Sequence, residues 1–183
     1  LAGYLWRARG VSYQPEELII TNGTVHSIYL LARCFLAGRD AVGVEDPGFA
    51  MARQALSNAG ARIHPCAVDG QGIVAESLNK LSGVYVTPSH QFPTGTRLSL
   101  PRRLSLLDWA RRQGALVLED DYDGDFRYDV PPLPPLAALA PEHVVYLGSF
   151  SKTMFPGLRL GFAAGHRQII AAMAGYRACM DYA

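Results

Sequence analysis

The sequence predicts a three-layer α/β/α domain built on a mainly parallel sheet, and three observations carry that prediction. Short apolar runs alternate with helix-patterned segments along the whole chain. The runs AVGVED (41–46), GVYVTP (83–88), ALVLED (115–120) and HVVYLGS (143–149) are nearly continuous in apolar residues, as strands buried on both faces are. Loops rich in functional side chains, EDPGF, PSHQFPTG, EDDYDGDF and GSFSK, follow those strands. In open α/β sheets ligands collect at the carboxyl ends of strands, so these loops are expected to converge on one site.

The elements follow in order. LAGYLWRARG reads as part of an amphipathic helix that begins without a methionine, and RACMDYA stops without a cap, so the chain is expected to be a piece of a longer one. Residues 24–37 carry apolar positions at helical spacing after Gly23. A strand over 41–46 ends in acidic residues and Pro47-Gly48, and a helix over 49–59 is closed by Gly60. ARIHPCAV (61–68) reads as a strand, 74–80 as a helix, and 83–88 as a strand leading into a loop, SHQFPTGT. PRRLSLLDWARRQG (101–114) has proline in its first turn and glycine at its end, which are helix start and stop signals. Strands over 115–120, 143–149 and 158–165 follow, the first two separated by a proline-rich excursion (131–142), and a helix from His166 closes the chain.

Bulk composition narrows the function. The chain has 183 residues, enough for one good core. It is 49% hydrophobic and 18% charged, which is globular, and its net charge of +1 carries no electrostatic footprint for nucleic acid. Cys34, Cys66 and Cys179 are far apart and odd in number, which fits reduced thiols of a cytoplasmic protein. No apolar run reaches membrane-span length.

Of the 17 basic residues only two are lysines, Lys80 in a polar context and Lys152 in GSFSKTMFPGLRLGF. Lysine serves better than arginine where an amine must lose its proton and attack a carbonyl. Arg159 adds a fixed charge, and Ser149 and Ser151 add hydroxyls, a combination that suits a phosphate. A Schiff-base lysine beside a phosphate seat suggests pyridoxal phosphate. A solvated lysine beside a turn is the alternative, and the local context does not separate the two. The Ser149-Phe150-Ser151-Lys152 match to an acyl-serine motif lacks its S-D-N and K-T-G companions.

In EDDYDGDF, alternation along an extended segment puts Asp120 and Tyr122 on one face and Asp121 on the other. Asp120 could then hold a protonated pyridine nitrogen and Tyr122 the ring oxygen. A solvated acidic turn is the competing reading. A calcium loop fails, because Gly124 is misplaced and Pro132 stands where the closing Glu belongs. Gly23 and Thr24 open a helix, which is either a phosphate seat or an ordinary N-terminus. Phe49 could stack on a planar ring or fill the core.

VTPSHQFPTG, LPRRLSLLDWAR, LEDDYDGDFRY and GSFSKTMFPGLRLGF, in this order and spacing, resemble the aminotransferase-like domain of MocR-type regulators of the GntR superfamily, the PdxR- and GabR-like proteins. More broadly the chain resembles the large domain of fold-type I pyridoxal-phosphate transferases over all 183 residues. The resemblance implies that Lys152, Asp120 and Tyr122 act on the cofactor's reactive atoms. It implies that Phe49 stacks on the ring. Gly23, Thr24, Val25, Ser149, Ser151 and Arg159 would cup the phosphate, and His90 and Gln91 would lie in the loop that approaches the ring oxygen. The chain departs from the enzymes of this fold in having Phe92 where they carry Asn, and Val25 where a polar residue is common. The resemblance further implies a homodimer whose sites borrow partner residues. A winged-helix DNA-binding domain and a C-terminal small domain would lie outside this chain. The expected function is a module sensing pyridoxal phosphate, or an amino compound reacting with it, for a transcriptional regulator. The alternative is an aminotransferase acting on an amino acid and a 2-oxo acid. A structural domain that has lost its cofactor fits poorly with an intact Lys152, Asp120, Tyr122 and Arg159.

Overall fold

Parallel neighbours in a sheet need crossovers, and the chain supplies them with helices. The structure, a computed structural model, describes all residues except 79, 125–132, 153 and 182–183. In chain order the elements are α1 (Ala2–Arg9), β1 (Leu18–Thr21), α2 (Thr24–Leu31), β2 (Val42–Asp46), α3 (Ala50–Asn58), β3 (Ile63–Asp69), β4 (Gly72–Ile73), β5 (Gly83–Val86), α4 (Leu100–Gln113), β6 (Leu116–Asp120), α5 (Leu136–Leu139), β7 (Val144–Ser149), β8 (Gly161–Ala164) and α6 (Arg167–Asp181). They form one eight-stranded sheet in the order β1-β8-β7-β6-β5-β2-β3-β4. The run from β7 to β3 is parallel, while β8 is antiparallel to both β7 and β1, and β4 is antiparallel to β3.

Period-two alternation divides the core. Val84, Val86, Val117, Val144 and Tyr146 face a layer containing Leu5 of α1 and Leu106, Leu107 and Trp109 of α4. Tyr85, Leu118, Val145 and Leu147 face the opposite layer, with Ile28 of α2, Leu56 of α3 and Ile170 and Met173 of α6. The expected three-layer architecture is therefore present. Among the described residues no helix is long and apolar enough to cross a membrane.

Two strands and one helix differ from expectation. β1 was not read from the sequence, because LIIT is only four residues long and follows a Pro15–Glu17 turn. It pairs with β8, which gives the parallel sheet an antiparallel flank. β4 is a two-residue strand of a tight hairpin, whose turn is closed by the Gln71 N–H donating to Asp69 Oδ1 at 2.8 Å. The helix expected over 74–80 is only a 3-10 turn, Ala75–Ser77, in which Ser77 Oγ donates to the Val74 carbonyl at 2.7 Å. Leu78 and Leu81, which follow the turn, are buried, so packing into the core governs this segment over helical periodicity. The start of the proline-rich excursion lies outside the described residues.

The helix over α4 runs as its end signals predict, but one of its arginines is not on a solvated face. Arg103 is fully buried. It donates to the carbonyls of Leu98 (3.0 Å), Pro134 (3.1 Å) and Pro88 (2.7 Å), and lies 3.9 Å from Glu119. Glu119 in turn accepts from the N–H groups of Leu136 and Ala137 at 2.9 and 2.8 Å. Arg103 thus fastens α4 to the loop leaving β5. Arg103→Met is expected to lower unfolding free energy by about 3 kcal/mol, since it removes three buried hydrogen bonds to carbonyls and the cation beside Glu119. Urea denaturation checks this, and a loss under 1 kcal/mol would show that the network is dispensable.

Candidate active site at the carboxyl ends of the strands

The chain runs from β2 outward to β3, then returns to place β5 on the other side of β2. That reversal is a topological switch point, where a crevice opens at the carboxyl edge of the sheet. The antiparallel flank adds to it. β8 runs against its neighbours, so its entry rather than its exit lies at this edge, while β1 again delivers its carboxyl end there. A cavity of about 280 Å³ occupies the crevice. It gathers Gly23, Thr24 and Val25 after β1, Phe49 after β2, Thr87 and Phe92 after β5, Asp120 at the end of β6 and Tyr122 beyond it, Ser149 at the end of β7 with Ser151 and Lys152 beyond it, and Arg159 before β8.

The turn that opens α2 is built on two glycines. Gly23 has φ 91°, a left-handed value that favours glycine. A Cβ on Gly161 would meet the Gly23 backbone at 2.8 Å, so only glycine lets β8 lie this close. Thr21 Oγ1 donates to the Gly23 carbonyl at 3.2 Å and pairs with Ser27 Oγ at 2.8 Å, fixing the turn. The N–H groups of His26 and Ser27 return to the Gly23 carbonyl, and those of Thr24 and Val25 precede any intrahelical acceptor. Across the cavity Ser149 Oγ accepts from the Ser151 N–H at 3.1 Å. Arg159 has φ 50°, a conformation uncommon outside glycine and concentrated at functional sites. The cavity lining thus brings together helix-start N–H donors, hydroxyls and one guanidinium, groups whose chemistry suits an anion.

At the other end stands Asp120, 2% exposed. Tyr85 donates to its Oδ2 at 2.7 Å, while Oδ1 is buried with no hydrogen-bond partner among the described residues. Burial pushes the Asp120 carboxyl up to about 7, although the Tyr85 hydrogen bond pulls it down. A buried, half-satisfied carboxylate is costly and calls for a cationic donor. Tyr122 shares the Asp120 face of the chain and lines the cavity. Its phenol is pushed up to about 12 by burial and by Asp123, so it remains a hydroxyl donor at neutral pH.

Phe49 and Phe92 meet edge to face with ring centroids 5.6 Å apart, and Phe92 meets Tyr122 in the same manner at 6.3 Å. Phe92 thus builds an aromatic wall in the cavity. The loop carrying it is held by Gln91, whose Nε2 donates to the carbonyls of Pro47 (2.9 Å) and Phe92 (2.7 Å) and whose Oε1 accepts from Thr94 Oγ1 (2.7 Å). Gln91 is therefore spent on its own loop and on the end of β2, and lies outside the cavity lining. His90 also lies outside it, paired with Asp123 and stacked on Tyr122 at 6.3 Å. Every other candidate residue lines the cavity. Tyr85 and Thr87 were not singled out from the sequence. Both sit in an apolar run, and only the register Tyr85↔Leu118 between β5 and β6 brings the phenol to Asp120.

The chain as a whole is similar to known proteins. The probable rhizopine catabolism regulatory protein MocR of Rhizobium meliloti is 38% identical over 165 residues, covering 88% of this chain and 34% of that protein. The 2-aminoadipate transaminase of Thermus thermophilus is 34% identical over 173 residues, covering 89% of this chain and 44% of that enzyme. The crystal structure of Pyrococcus horikoshii kynurenine aminotransferase, solved in complex with PMP, superposes with TM-score 0.91 at 30% identity, over 98% of this chain and 47% of that one. The chain thus spans well under half the length of these curated relatives. The profile of the family described as aminotransferase class I and II matches residues 1–180, so it is to this family that the chain belongs.

Proposed function

We propose that these residues are the cofactor-binding part of a MocR-type transcriptional regulator, which holds pyridoxal phosphate and senses that cofactor, or an amino compound reacting with it, at Lys152. The observation that carries the reading is the unpartnered Asp120 Oδ1 in a cavity that also presents the Lys152 amine and an anion seat. The donor set fits the cofactor's three functional ends. When bound, pyridoxal phosphate supplies an aldehyde that condenses with amines and a protonated ring that withdraws electrons. Asp120 Oδ1 would accept the ring N–H and hold that proton in place. The Tyr122 hydroxyl would donate to the ring oxygen, and Phe49 would cover one ring face. Thr24 and Val25 N–H groups, Ser149, Ser151 and Arg159 would hold the phosphate. Lys152 Nζ is the nucleophile and the group that takes up and returns protons.

The strength of the regulator relatives favours sensing over turnover, and the DNA would be read by a segment outside these 183 residues. On this reading the protein would work in the cytoplasm, as a homodimer. The test uses the full-length protein and a labelled duplex from upstream of its own gene. Added pyridoxal phosphate is expected to shift duplex affinity by at least about fivefold, within the usual range of coupling energies. No duplex binding, together with steady transamination of an amino acid and a 2-oxo acid, would establish the enzyme reading that the 34% identical transaminase favours.

A further inference from the structure

A buried charge cluster lies on the opposite face of β6 from Asp120. Arg9, the last residue of α1, is 8% exposed and pairs with Asp121, whose side chain is fully buried. Its Nε donates to the Tyr146 hydroxyl at 3.1 Å, Nη1 to the Gly124 carbonyl at 3.2 Å, and Nη2 to Ser89 Oγ at 3.4 Å. The Tyr146 hydroxyl donates to Asp121 in turn. A planar guanidinium can reach this many acceptors at once, whereas an ammonium cannot.

Of the groups it grips, Tyr146 stands in β7 and the other three, Asp121, Gly124 and Ser89, belong to the site loops. Asp121 and Gly124 bracket Tyr122, and Ser89 opens the loop that carries Phe92. A small void of about 20 Å³, lined by Tyr4, Arg9, Tyr122, Ser149 and Lys152 among others, lies between the cluster and Lys152. Arg9 therefore reaches the back of the cavity without touching anything inside it.

We infer that Arg9 is a positioning residue for the cofactor site, and that through it the seating of α1 and the occupancy of the cavity are coupled. This rests on the reading that the cavity holds pyridoxal phosphate. A ligand that orders Asp120 and Tyr122 orders the same turn that Arg9 clamps to α1. By linkage, anything that seats α1 raises cofactor affinity by the factor with which the cofactor seats α1. α1 is then a route by which events at the amino-terminal end of this domain reach the site, or the reverse.

The test measures two things on the full-length protein: pyridoxal phosphate affinity, and hydrogen exchange of residues 2–10 with and without it. In the parent the cofactor is expected to slow exchange in α1. Arg9→Lys keeps the charge but loses the fork, and should weaken affinity by about tenfold. Tyr146→Phe removes one shared hydroxyl, should cost about fivefold, and serves alone if the lysine variant does not fold. Both should lose the cofactor-dependent protection of α1 while keeping that of residues 23–28. A purely structural role would change stability and leave that ligand-dependent difference intact. Affinities within twofold of the parent, with α1 protection unchanged, would overturn the inference alone. A parent protein that does not bind pyridoxal phosphate would overturn the cofactor reading and this inference with it.

Discussion

Lys152→Ala is expected to abolish covalent retention of pyridoxal phosphate completely. The parent, loaded with the cofactor and treated with borohydride, should gain the mass of one reduced adduct and lose its visible absorbance; the variant should show neither band nor adduct. The expectation follows from the cavity's inventory. Lys152 is the one amine in the lining, which it shares with Asp120 and Arg159, whereas Lys80 is exposed near Asp40 at the other end of the sheet. Lys152 is itself exposed, so its truncation should leave unfolding free energy within about 0.5 kcal/mol of the parent. Retained adduct in the variant, or parent adduct mapped to Lys80, would remove Lys152 from the site.

Asp120→Asn is expected to separate binding from folding in an unusual direction. Cofactor affinity should fall by roughly a hundredfold, because an amide offers the ring nitrogen a weaker acceptor and no charge. The cofactor-free protein should nevertheless gain stability at pH 8. Burial raises the folded-state carboxyl from 3.8 to about 7. The native state then holds more protons than the unfolded one between those values, so its stability falls as pH rises through that window. Asparagine removes that penalty. The gain should be about 1–2 kcal/mol at pH 8, after allowance for its unpaired N–H, and should vanish near pH 4. Glu119, also raised to about 7, contributes equally to both proteins and cancels, whereas Glu45 repels the Asp120 carboxylate, so its relief in the variant adds to the gain in the same direction. Asp121→Asn should behave oppositely, losing stability because it uncouples a buried pair with Arg9. Chemical denaturation at both pH values checks the sign. If Asp120→Asn is less stable at pH 8, a partner for Oδ1 is already present in the cofactor-free protein.

Much of this was legible in one dimension. Continuous apolar runs announced strands covered on both faces, and glycine and proline marked the ends of α3 and α4. The period of two assigned Asp120 and Tyr122 to one side and Asp121 to the other, and Asp121 indeed turns to Arg9. Short elements escaped. LIIT and the Gly72–Ile73 strand are too brief to show a period, and they are held by pairing with distant partners. The segment over 74–80 carries apolar residues at plausible helical spacing but uses them to plug the core.

The sequence alone determined which chemistry was on offer: a rare lysine, an acidic strand end, a glycine-led helix start and hydroxyls beside an arginine. Those are properties of single side chains and of local spacing, and they survive without coordinates. Only the tertiary structure decided what each polar group faces. It turned Gln91 into a loop tie, drew His90 to Asp123, recruited Tyr85 to one oxygen of Asp120 and gave the other no partner among the described residues. It also set Arg9 against the back of the site from more than a hundred residues away. Hydrogen bonds and ion pairs across strands depend on register and on what burial forbids to remain unpaired, and neither is written in the local sequence.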